Sequence, residues 1–198
     1  AEPGSAELAL RVGARSPGYA YAETLALGCA ISESPQLYPT GPDGYGYYAY
    51  DLLDTLHPAS PRFEWTELAP PGPGSLMEMA SELDNWTEVV DPGIHIQFYG
   101  TLRSEVSVCT NGFVMLKSSG TTQPDNAPIP TLSGPQALVA PLWDDLDPSS
   151  GGEIYVWNDE AAHRLVIEYD GVRHVGSDLS ETFQVVIHDE TFYPTPTN

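Results

Sequence analysis

Val106-Ser107-Val108-Cys109-Thr110-Asn111-Gly112-Phe113-Val114, followed by Ala140-Pro141-Leu142-Trp143-Asp144-Asp145-Leu146-Asp147 and Gly151-Gly152-Glu153-Ile154-Tyr155, reads as strand, turn, strand, long loop, strand, acidic turn, strand. β-Branched and aromatic residues fill the runs. Asn-Gly and Gly-Gly pairs supply the points at which a chain can reverse. No catalytic constellation stands around this stretch, so it speaks about architecture before activity.

The same texture extends outward. Pro (19) and Gly (18) make up nearly a fifth of the chain and fall mainly between short apolar runs, which is all-β punctuation. Strands are expected at 7–12, 19–31, 45–51, 63–68, 87–90, 93–99, 105–109, 113–117, 137–142, 153–157, 164–169 and 182–188. Ile94, Ile96 and Phe98 alternate with His95, Gln97 and Tyr99, as in a strand with one face in a core. Helical spacing is confined to Leu76, Met79 and Leu83 within 75–83. The expected fold is an all-β, antiparallel β-sandwich, jelly-roll-like, preceded by a β-hairpin arm. Residues 1–31 form the arm, 32–44 (Ser-Glu-Ser-Pro-Gln-Leu-Tyr-Pro-Thr-Gly-Pro-Asp-Gly) a linker, and 45–198 the sandwich. A lone two-stranded hairpin is marginal in water, so the arm must dock on its own body or on another molecule.

With 198 residues and 41% hydrophobic content, the chain can bury a substantial core. No window approaches the roughly 18 consecutive apolar residues of a membrane span. Seven Lys and Arg against 28 Asp and Glu give a net charge of −21, which sets nucleic acid aside and disfavours anionic lipid, because both demand a positive surface. Divalent cations can offset such a surplus.

Four carboxylates, Asp144, Asp145, Asp147 and Glu153, lie within ten positions around an acidic turn. A tight turn can deliver carboxylates and carbonyls to one calcium ion, which takes six to eight oxygens. Alternatively, Asp145 and Asp147 organise the turn through side chain to backbone hydrogen bonds. Cys29 and Cys109, eighty positions apart, are either one disulfide or two buried thiols. Tyr45, Tyr47, Tyr48 and Tyr50 offer rigid amphipathic rings to a sugar or protein partner, or pack one strand face into a core. His57, His95, His163, His174 and His188 are scattered and form no paired ligand motif. Among 28 acids, accidental glycosidase-like pairs are inevitable and carry no weight.

Asn111-Gly112 behind an alternating strand, Ala140 to Asp145, and the Gly-Gly before Ile154-Tyr155 resemble the nidogen-type, NIDO-like extracellular β module. Gly41-Pro42-Asp43-Gly44-Tyr45-Gly46-Tyr47-Tyr48-Ala49-Tyr50-Asp51, Phe63 to Leu68 and the closing Tyr193-Pro194-Thr195-Pro196-Thr197 narrow the resemblance to modules carried carboxy-terminal to the peptidase in large secreted bacterial gingipain-like and subtilisin-like peptidases and surface proteins. The resemblance covers about residues 40–198. It implies that 22–27 closes an immunoglobulin-like domain and that a further apolar strand follows the Pro-Thr-Pro-Thr stretch.

The function expected from this reading is non-catalytic: a secreted adhesion or accessory module at a bacterial cell surface, binding protein or glycan, with calcium as its possible cofactor and no membrane insertion. The alternative is a structural subunit that assembles with other copies of itself into an extracellular filament by strand donation.

Overall fold

The computed structural model describes residues 39–130 and 134–193. Two compact units meet in sequence between Trp65 and Thr66. The expected arm at 1–31 and most of the linker lie outside the described residues.

In the first unit, Thr40 and Ala49 form an isolated antiparallel bridge, and the chain turns between them. Asp43 makes that turn: its Oδ1 accepts from the N–H groups of Tyr45, Gly46 and Tyr47 at 2.8–2.9 Å. The strand expected at 45–51 therefore does not form. An aspartate that satisfies three successive amides inside the turn leaves no free ladder for a strand partner. A 3-10 helix follows at Leu52–Leu56, capped reciprocally by Asp51, which accepts from Leu53 N–H, and by Asp54, which accepts from Asp51 N–H.

The second unit is an antiparallel β-sandwich. Its strands are β1 (Ser75–Leu76), β2 (Thr87–Val90), β3 (Ile96–Phe98), β4 (Thr101–Arg103), β5 (Val106–Cys109), β6 (Phe113–Met115), β7 (Leu138–Val139), β8 (Leu146–Asp147), β9 (Glu153–Asp159), β10 (Arg164–His174) and β11 (Ser180–His188). One sheet runs β1-β9-β10-β11, with β8 pairing the far end of β10; the other runs β2-β5-β6-β7, and β3-β4 forms a separate hairpin. A short helix, α1 (Glu78–Glu82), follows β1. The helical spacing read at 75–83 thus resolves into a two-residue strand and one helical turn. The run expected at 63–68 carries no strand, whereas β10 outruns its expected end at Tyr169 by continuing through a bulge before Val172.

The core lies between the two sheets. Val106, Val108, Val114 and Leu116 face Ile154, Leu165, Ile167, Tyr169, Phe183 and Val185, with Ile94, Ile96 and Phe98 on the flank as their alternation requires. Full burial of each such side chain stabilises by about 1.5–3 kcal/mol. Tyr169 ties the layers together: its ring stacks on Phe183 at 4.4 Å, and its hydroxyl donates to the Cys109 carbonyl at 2.6 Å. Burial pushes that phenol well above its ordinary value, so it stays a donor.

The stretches 106–114 and 140–147 meet in space. Asn111 and Gly112 close the β5-β6 hairpin, and the chain from Leu142 to Leu146 crosses directly over them. Asn111 is fully buried and uses its whole amide: Nδ2 donates to Asn85 Oδ1 and the Thr122 carbonyl, while Oδ1 accepts from Leu146 N–H at 3.0 Å. Trp143 packs on Phe113 and donates from its indole N–H to the Gln123 carbonyl. The long connection after β6 is thereby pinned to the sandwich.

Candidate functional site

Because β10 is extended, its side chains alternate between the two faces of the sheet. Leu165, Ile167 and Tyr169 enter the core between the sheets, so Val166, Glu168 and Asp170 stand on the outer face. Register places Glu168 between Tyr155 on β9 and Gln184 on β11, and Asp170 opposite Glu153. The segment entering the sandwich crosses this face. Its Leu68 is buried against Tyr155 and Val166, with Ala69, Trp157 and Val186 around them.

Glu168 is consequently a carboxyl with no exposed surface. Its Oε2 accepts from Leu68 N–H at 2.9 Å and from Gln184 Nε2 at 2.5 Å, and Gln184 also donates to the Thr66 carbonyl. Its Oε1 is buried and has no hydrogen-bond partner. Burial, aided by the negative charge of Glu67, pushes this carboxyl up to about 7 against the two hydrogen bonds that favour its charged form. One oxygen each from Glu67, Glu168 and Asp170 lie within 4.8 Å of one another. Burial and the charges of Glu67 and Glu153 likewise raise Asp170. The Tyr155 hydroxyl donates to Glu153 Oε2; burial and that bond push it up to about 12.

The four acids singled out in the sequence are given separate tasks. Asp144 is exposed, with Oδ2 at 3.1 Å from His174 Nδ1, and its Oδ1 accepts from Asp145 N–H. Asp145 is raised by burial and by Asp84, Asp125, Asp144 and Asp147 around it. Asp147 caps the 3-10 turn Pro148–Ser150: against the upward pull of burial, the hydroxyls and amides of Ser149 and Ser150 hold its carboxyl below the usual range. Glu153 is the partner of Tyr155. Among the described residues, the metal-type donors that gather are Glu67, Glu168 and Asp170, and none of these four is among them.

Tyr45 and Tyr48 are 57% and 43% exposed, Tyr47 and Tyr50 are half-buried, and the Tyr45 and Tyr47 rings stack at 5.7 Å. Cys109 is a buried thiol raised by its burial. Cys29, the other half of the disulfide weighed against two buried thiols, lies outside the described residues. Of the histidines, His174 sits between Asp144 and Glu181, His163 stacks on Phe192, and His188 packs against Tyr193.

Glu168 was not marked out by reading motifs. The available signal was a single glutamate inside the otherwise apolar run Leu165-Val166-Ile167-Glu168-Tyr169, a position where a carboxyl is buried only with partners.

Fold and site together define a β-sandwich module whose polar chemistry lies on a sheet face. A family model described as NIDO related matches residues 64–192, and the chain belongs to that family. No curated protein and no solved structure matches it. Membership points to an extracellular module, and among the described residues no helix is long and apolar enough to cross a membrane.

Proposed function

We propose that this chain is a non-catalytic extracellular module that holds a protein or glycan partner at a cell surface through the tyrosine loop of residues 43–50. The observation that carries the reading is the presentation of Tyr45 and Tyr48. Both rings are about half exposed on a loop whose backbone is already held by Asp43. Exposed aromatics on a preformed loop bind at low entropic cost, and such rings supply flat stacking area with a polar tip.

Screening on an immobilised glycan array and on an array of extracellular-matrix proteins tests the reading. Saturable binding is expected, weakened at least about 30-fold in the Tyr45→Ala/Tyr48→Ala double variant, the loss typical of two central aromatic anchors. Absence of wild-type binding on both arrays, or undiminished binding by the variant, overturns it.

A second reading, assembly by strand donation, draws on β11. Among the described residues this nine-residue strand pairs with β10 along one edge, and no described strand pairs with the other. An uncovered edge is a template for a neighbouring chain. Light scattering coupled to size exclusion, at 10 to 100 micromolar protein as an order of magnitude typical of such assembly, is expected to show species heavier than one chain. A single monomer peak across that range eliminates this alternative.

A further inference from the structure

We propose that Glu67, Glu168 and Asp170 form a binding site for a hard divalent cation of the calcium class on the outer face of the β9-β10-β11 sheet. The inference is independent of the tyrosine-loop reading. It starts from two observations that converge. Three carboxylates, from the entering segment and from alternate positions of β10, bring one oxygen each within 4.8 Å of one another. Glu168, wholly buried at their centre, has an oxygen with no hydrogen-bond donor.

A buried acceptor without a donor costs on the order of 1–3 kcal/mol, and more when it is charged. A proton, a water or a cation relieves that cost. The charges that act on Glu168 and Asp170 are those of Glu67 and Glu153, all negative, so the surroundings favour a cation. Hydrogen bonds from Leu68 and Gln184 occupy Glu168 Oε2 and hold the carboxyl in place, while Oε1 takes no donor.

Donor chemistry selects the ion class. Oxygens around a calcium at about 2.3–2.6 Å stand up to about 5 Å apart, a limit that this group respects. An all-carboxylate set without nitrogen or sulfur disfavours zinc. With Glu168 Oε2 occupied, the three carboxylates supply three to five of the six to eight oxygens required, and solvent reaches the site through exposed Glu67. A cation here would tie the entering segment at Glu67 to β10 and cancel the repulsion among the acids.

The test is a calcium titration of chelator-treated full chain at pH 7.5, read by melting temperature and by isothermal titration calorimetry. One site per chain is expected, with the melting temperature raised by about 5 °C or more when calcium is a hundredfold above Kd. Glu67→Gln, a change at an exposed position, is expected to weaken binding at least tenfold; Asp170→Asn should do the same, and Asp144→Asn should leave it unchanged. A folded wild type with no calcium-dependent heat or melting shift overturns the proposal. So does a Glu67→Gln, Asp170→Asn double variant that retains the wild-type affinity.

Discussion

Gly112→Ala is expected to leave the sandwich unfolded or nearly so, with a loss above about 4 kcal/mol, a large share of the 5–15 kcal/mol that stabilises a typical domain. Two costs add at this position. Gly112 has φ +76°, where a side chain is strained by roughly 1–2 kcal/mol. An added Cβ would also stand 1.8 Å from the Leu142 carbonyl oxygen and 3.1 Å from Leu146 Cδ1. The obstruction is backbone, so no rotamer change relieves it. Moving the Leu142–Leu146 segment away breaks the Leu142 N–H to Gly112 carbonyl bond and withdraws Leu146 N–H from buried Asn111. Far-UV circular dichroism and urea melts of the purified variant check this. A variant whose midpoint stays within about 1 kcal/mol of wild type would show that the crossing chain yields, and that the Asn-Gly turn is not the anchor described.

Glu168→Gln is expected to stabilise the metal-free protein at pH 8 and to remove a pH dependence that the wild type shows in chelator. The folded carboxyl lies at about 7, above its ordinary 4.5, so between these values the native state holds a proton that the unfolded chain has released. Stability rises with pH where the unfolded state binds more protons, and here the native state binds more, so stability falls as pH rises. The contribution is complete below about 4.5 and lost as pH climbs through about 7. Its size is about 3 kcal/mol, at about 1.4 kcal/mol per pH unit between the two values. Glutamine keeps an acceptor for Leu68 N–H and Gln184 while carrying no charge. Other carboxyls act in the opposite direction: Asp147 and Asp189 are held below their ordinary values despite burial. The difference between wild-type and variant stability across pH 4 to 8, from urea melts in EDTA, isolates Glu168. Parallel curves would mean that this carboxyl titrates alike in the folded and the unfolded chain.

The strands that carry the core were legible because burial on one face leaves a period of two in the chain. Ile94, Ile96 and Phe98 read as a core face and are one. The Asn111-Gly112 turn was legible for a related reason, since few residue pairs tolerate that backbone. The tyrosine stretch misled for the opposite reason: aromatic residues suit strands, but Asp43 satisfies the local amides through its own side chain, and propensity does not register that competition. Asp144, Asp145, Asp147 and Glu153 looked like one group because they are near in sequence. The fold instead sends Asp147 into its own 3-10 turn and Glu153 to Tyr155.

The amino-acid order by itself determined the alternation, the turns and the acidity, and therefore an antiparallel two-sheet body, because each is a property of neighbours along the chain. Only tertiary structure decided which carboxylates share a space. Glu67 and Glu168 lie 101 positions apart, and they meet because the entering segment crosses the outer face where β9 and β11 hold Tyr155 and Gln184 on either side of Glu168. Pairing across strands sets that meeting, and no spacing in the sequence records it.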